Sequence, residues 1–148
     1  MKWMISSLAA MALAGTALAH SGATGVVKDR MAAMKAMADA LEVIVPMTRG
    51  ERAYDPGAYA AAARRIAAEA GRPLVDKFPE GSTQAPTEAA PAIWTDFARF
   101  SDLSMTLERR AAALAQAADN AAEVPRGAFR DMARTCSACH EDYRIETD

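Results

Sequence analysis

The sequence predicts an all-α protein folded as an antiparallel up-down four-helix bundle. Three observations carry that prediction. The 148-residue chain is 51% hydrophobic but only 6% aromatic, and it leans on Ala, Met, Leu, Glu and Arg, which are strong helix formers. Apolar residues recur in alternating threes and fours within four separate segments, the period of a helix with one buried face. No segment shows a strand signal, and no stretch repeats another. Helices of about 20 residues with mostly short connections pack as a bundle roughly 30 Å long.

The first residues are not part of that bundle. Lys2 precedes an apolar stretch that ends in Ala17-Leu18-Ala19, the small-residue pattern that a signal peptidase cleaves. The stretch is about a dozen residues, short of the roughly 20 needed to span a bilayer, so a cleavable signal is preferred to an uncut anchor. Cleavage after Ala19 removes 19 of 148 residues and leaves 129, residues 20–148, enough for one domain around one core. No long apolar run remains, so no membrane span is expected in the mature chain. Loss of Lys2 moves the formal charge from −2 to −3, which argues against a nucleic-acid partner.

The first helix is expected from about Thr24 to Val45, with Val27, Met31, Met34, Ala38, Leu41 and Val45 on one stripe. Pro46 removes a backbone donor and should end or kink it. Asp55-Pro56 opens the second as N-cap and first helical residue. Its stripe is Tyr59, Ala63, Ile66 and Ala70, and a short continuation through Leu74, Val75 and Phe78 should follow the Gly71 and Pro73 interruption. The run from Pro79 to Pro86 is rich in turn formers and reads as the longest linker. The third helix should start near Thr87 or Pro91 and bury Ile93, Phe97, Phe100, Ser104, Leu107, Ala111 and Leu114, with Trp94 beside them, up to Asp119-Asn120. The fourth begins near Pro125 and carries Phe129, Met132, Cys136, Cys139 and Tyr143.

The chemistry stands on that last helix. Cys136-Ser137-Ala138-Cys139-His140 has the spacing of covalent c-type haem attachment. Residues three apart share a helix face, so both thiols can reach one edge of a porphyrin and form thioethers. His140, about 100° further round, can bring its imidazole to the iron. A redox disulfide would more usually sit at a helix N-terminus beside a strand. A zinc site would need four ligands, and the other histidine, His20, sits at the new N-terminus. One covalently bound haem c is therefore the expected cofactor. Attachment of this kind takes place outside the bacterial cytoplasm, which agrees with export to the periplasm.

The motif stands about ten residues from the C-terminus and continues as Glu141-Asp142-Tyr143-Arg144. In this the chain resembles the class II c-type cytochromes, the cytochrome c' family, and most of all their low-spin cytochrome c-556 branch. Phe78-Pro79-Glu80-Gly81-Ser82 is similar to the end of the family's second helix, Pro91-Ala92-Ile93-Trp94 to the start of its third, and Val27 through Lys35 to its first. The resemblance covers essentially the whole mature chain. It implies a haem wedged between the helices near one end of the bundle, His140 on the proximal side and a residue of the first helix on the distal side. That distal residue is apolar and non-ligating in high-spin members, which bind nitric oxide or carbon monoxide. In low-spin members it is a Met.

Met34, four residues after Arg30, falls at that position. It is read as the sixth iron ligand, with Met31 and Met37 as rivals and core filler as the plainer role. By the same resemblance Arg30 lies near a haem propionate; a solvated surface Arg weighs equally at this point. Arg144 could face the proximal edge, and Trp94, Phe97 and Phe100 are most simply core. The resulting reading is a periplasmic single-electron carrier with Met/His ligation, not an enzyme, whose partners are other periplasmic redox proteins. Five-coordinate gas binding is the alternative, and a helical module without haem survives only if the motif is accidental. The alanine-rich first two helices could pack in a homodimer or face water.

Overall fold

A computed structural model of the chain describes residues 22–145. The signal peptide expected at 1–19 lies outside the described residues. Four long helices, α1 (Gly25–Arg49), α2 (Pro56–Glu69), α5 (Phe97–Asp119) and α6 (Arg126–Tyr143), form the bundle, and two single turns, α3 (Arg72–Val75) and α4 (Ala92–Thr95), interrupt the connection between α2 and α5. No strand forms among the described residues; one antiparallel bridge joins Ala89 to Arg144.

α1 runs through Pro46 rather than stopping there. The proline removes one N–H···O bond to the preceding turn, and the helix continues only three residues beyond it. The last turn is held by other contacts: Met47 and Thr48 are buried, and the Thr48 hydroxyl lies 2.9 Å from both the Ile44 carbonyl and the Tyr59 hydroxyl. Gly50, at φ 79°, then closes the helix, its N–H reaching the Met47 carbonyl at 3.2 Å, a left-handed cap that glycine adopts without steric cost.

The buried face of α1 also differs from the expected stripe. Val27, Arg30, Ala33, Met37, Ala40, Ile44 and Met47 are buried, whereas Met31, Met34, Leu41 and Val45 are half-buried and Ala38 is exposed. From Met31 onward, each expected residue stands one position after a buried one, about 100° round the helix. α1 therefore carries two adjacent apolar stripes, and only one enters the core.

α2 matches its sequence signals. Asp55 caps it, accepting from the Ala58 N–H at 3.0 Å, and Tyr59, Ala63, Ile66 and Ala70 are all buried. Gly71 follows at φ 68°. Its N–H donates to the Ser104 carbonyl and its carbonyl accepts from the Ser104 hydroxyl. A Cβ at Gly71 would meet the Glu108 carboxyl end, which could swing aside, but the φ of 68° is one that only glycine adopts without strain. α4 breaks at Asp96 before α5 begins. That break turns Phe97 outward, 39% exposed, against its expected burial, while Ile93, Phe100, Ser104, Leu107, Ala111 and Leu114 are buried as expected.

Close helix approach is uneven around the bundle. α1 packs on α2, α2 on α5 and α5 on α6, but α1 and α6 approach one another little. They are joined at one end, where the Arg126 guanidinium donates to the Thr48 carbonyl.

Candidate functional site

The α1–α6 seam is where the chemistry-bearing residues collect. On its α2 and α3 side α1 presents Val26, Asp29, Ala32 and Ala33, which line a surface hollow with Glu69, Pro73, Asp76 and Lys77. The second apolar stripe lies on the opposite flank, toward α6. From that flank Met34 and Leu41 pack against the core, and from α6 so do Phe129, Cys136 and Cys139, all of them half-buried.

The Arg126–Thr48 bond fixes the register of the two helices. His140 lies fourteen residues after Arg126, and Met34 fourteen before Thr48. Both steps are about 21 Å along the axis and end within about 40° of the starting direction. An arginine side chain reaches about one helical turn, so His140 and Met34 stand within about a turn of each other along the seam. Met31 and Met37 lie nearly one turn away on either side, and Met37, 7% exposed, belongs to the buried stripe.

Cys136 and Cys139 are free thiols on one face of α6. Burial raises both above the usual thiol range, Cys139 to about 11, with the neighbouring Cys136 and Asp142 adding to the effect. Both are protonated at neutral pH, which suits neither a thiolate metal centre nor a reactive redox pair. Among the described residues no group of three or more His, Cys, Asp and Glu side chains could hold a metal ion. His140 reaches solvent, yet crowding by the chain lowers its pKa, the Arg144 guanidinium pushes the same way, and Glu88 opposes them. The imidazole is thus neutral at pH 7, with a nitrogen lone pair available to a metal.

The end of α6 is held by the linker. Ala90 N–H donates to the Tyr143 carbonyl at 2.9 Å and Ile145 N–H to the Glu88 carbonyl at 2.8 Å. Arg144 pairs with Glu88 at 2.8 Å, and the Tyr143 hydroxyl donates to Asp96 at 3.1 Å. Arg144 is therefore committed to the linker.

Arg30 is not a solvated surface residue; it is 4% exposed. Its guanidinium donates to the Ser82 hydroxyl at 3.2 Å, the Ser82 carbonyl at 2.6 Å and the Thr87 hydroxyl at 3.0 Å, and it lies over the Phe78 ring at 4.9 Å. These partners are neutral, and no carboxylate of the described residues pairs with it. Desolvation lowers its pKa, but an arginine keeps its charge. Ser82 and Thr87 were given no role at the site from the sequence, where Ser82 stands inside the longest linker and Thr87 at one of the candidate starts of the third helix.

A group that fits this seam is flat and apolar, can take two thioether bonds from one helix face, holds a metal level with His140, and bears a negative charge toward Arg30. A haem c meets each requirement. The chain matches the family described as Cytochrome C' over residues 25–144. It is 30% identical over 147 residues to cytochrome c' of Rhodopseudomonas palustris, covering 99% of each chain. With cytochrome c-556 of Agrobacterium fabrum it shares 32% identity over 125 residues, 84% of each. Its fold is similar to the nitric oxide complex of a mutant cytochrome c' from Alcaligenes xylosoxidans, with TM-score 0.73, 28% identity, and coverage of 82% of this chain and 94% of that one.

Proposed function

We propose that this chain, which belongs to the cytochrome c' family, is a periplasmic single-electron carrier whose haem iron is held by His140 and Met34. Proteins of the family bind one covalent haem c, and their general role is electron transfer or gas binding rather than enzymatic turnover. The observation that supports the finer reading is that Met34, half-buried on the second apolar stripe of α1, stands within about a turn of the level of His140 along the α1–α6 seam.

When bound, the haem supplies a one-electron iron(III)/iron(II) couple. The residues of the chain do the rest. Cys136 and Cys139 sulfurs tether the group to α6. The neutral His140 imidazole donates one ring nitrogen to the iron, and α6, pinned at its C-terminal end by Glu88 and Asp96, sets where that nitrogen stands. The thioether of Met34 would hold the iron from α1, and a sulfur ligand raises the potential relative to a second nitrogen. Met31, one turn before Met34 on the same half-buried stripe, would help to cover the same face. Arg30, already ordered by Ser82 and Thr87, offers its charge to a propionate through charge-assisted bonds. A His140 and Met34 pair that held the iron in both oxidation states would keep rearrangement small during electron exchange.

The second reading is a five-coordinate, gas-binding protein. The relative with a nitric oxide complex favours it, and so does the half-burial of Met34, which leaves its side chain room to turn aside. A visible spectrum of the purified holoprotein separates the two. Low-spin bands with the weak far-red band of sulfur–iron(III) ligation are expected, and Met34→Ala should turn them high-spin and responsive to carbon monoxide. A wild-type spectrum that is already high-spin rejects the carrier reading. Homodimerisation through α1 and α2 belongs to the same proposal and is read by sedimentation.

A further inference from the structure

We infer that the exposed arginine cluster on the α5–α6 face docks an acidic one-electron redox protein, a partner class that rests on the electron-carrier reading above. The Arg110 guanidinium crosses from α5 to α6, donating to the Asp131 carbonyl at 2.8 Å and the Thr135 hydroxyl at 2.7 Å. This bond brings Arg109 and Arg110 level with the middle of α6. There Arg134 stands 3.9 Å from Asp131, with the two side chains 70% and 60% exposed, and Arg130 lies one turn before it. All four arginines are exposed. Asp131 is the one carboxylate the structure pairs with them. Arg109 donates only to the Thr106 hydroxyl, and Arg130 forms no ion pair among the described residues.

This concentration runs against the charge of the whole chain, which is −2. The far side of the bundle is more evenly balanced: Asp29, Glu69 and Asp76 stand there with Lys77, and Asp76 pairs with Arg72 at 2.7 Å. An asymmetry of this kind orients the molecule as it approaches a charged partner and raises the encounter rate.

Position ties the patch to the redox site. Arg134 precedes Cys136 by two residues, about 200° round α6, so the arginines and the thiols occupy opposite flanks of one helix, about 10 Å thick. An acidic partner seated on the patch would stand one helix thickness from the tethered group, close enough for one electron to pass with no atom moving. The guanidinium fork matches carboxylates. A lipid surface fits less well, because membrane-binding faces insert apolar side chains. The only exposed large apolar residues described, Phe97 and Ile145, lie beyond the Arg99–Asp142 pair, toward the other end of α6 from Arg130.

The test uses the holoprotein, with polyglutamate as the probe and phosphatidylglycerol vesicles in parallel. At low salt, Arg130→Glu with Arg134→Glu should weaken polyglutamate binding at least about tenfold and slow oxidation of the reduced protein by hexacyanoferrate(III) about tenfold. Arg130→Lys with Arg134→Lys should retain most of both. The differences should fade at about 0.5 M salt, where screening reaches only a few ångströms. Equal binding and equal rates in the Glu variant overturn the docking surface, and binding to vesicles but not to polyglutamate overturns it in favour of a membrane. Spectra of the same samples keep the two readings apart. A high-spin or haem-free protein fails the electron-carrier reading, whereas an intact low-spin haem with salt-insensitive rates fails the docking surface alone.

Discussion

The two ends of the α1–α6 pair are built from the same two helices and close in different ways. At one end the chain supplies everything: Ile44, Met47 and Tyr59 are buried, the Thr48 and Tyr59 hydroxyls meet, and Arg126 ties α6 to α1. About 21 Å away, Met31, Met34, Cys136 and Cys139 remain half-buried and no bond is drawn between the helices. The first end shows how this sequence seals a seam with side chains alone. The second leaves an apolar flank and two thiols only half-covered by side chains of the chain.

The largest expected effect breaks the second end outright. Replacing both Cys136 and Cys139 by Ala should abolish covalent haem, so protein from a working maturation system would show no mass beyond its amino acids. An adduct that survives the double replacement would place the tether elsewhere.

Next, Met34→Ala and Met37→Ala set the two stripes of α1 against each other. Met37 is buried in the core, so its truncation should cost about 2–5 kcal/mol and leave a low-spin spectrum. Met34, half-buried, should cost on the order of 1 kcal/mol in the cofactor-free chain while the spectrum changes. Chemical denaturation and absorbance read both, and the reverse pattern would exchange their roles.

A third, smaller effect concerns pH in the cofactor-free chain. Cys139 ionises near 11 when folded, against an ordinary 9.0. Folding therefore disfavours the thiolate: this contribution to stability is present below pH 9 and is lost as pH rises from there toward 11. At pH 8 the folded chain should hold about a hundredfold less Cys139 thiolate than the unfolded one, and alkylation by iodoacetamide should be slowed accordingly. Equal rates in native and denatured chains would contradict the burial of this thiol.

The smallest effect belongs to the sealed end. Arg126→Ala should cost about 1–2 kcal/mol, the loss of one partly buried charged hydrogen bond, with no change in the haem spectrum. A spectral change would mean that the register at Thr48 reaches the other end.

The number of long helices, the Asp55 cap, the turn at Gly71 and the buried stripes of α2 and α5 were legible because each is set by residues within a few turns. The covalent motif was legible for the same reason: its three residues lie within five positions of one helix. The face of α1 was misjudged because periodicity reports that a flank is apolar, not what covers it, and here two flanks qualify. Pro46 misled in the same way, since its local cost was set against the tertiary burial of Met47 and Thr48. Arg30 gave no sign of burial because its partners, Ser82 and Thr87, lie more than fifty residues away.

By itself the sequence determined an all-helical chain with a Cys-x-x-Cys-His motif on its last helix, since helix propensity, caps and motif spacing are local quantities. Only the tertiary structure decided which apolar stripe of α1 enters the core, that Met34 lies on the other one, and that a buried guanidinium stands one turn before Met34. Those are matters of register and rotation between distant segments, fixed by packing and by single long-range bonds such as Arg126 to Thr48.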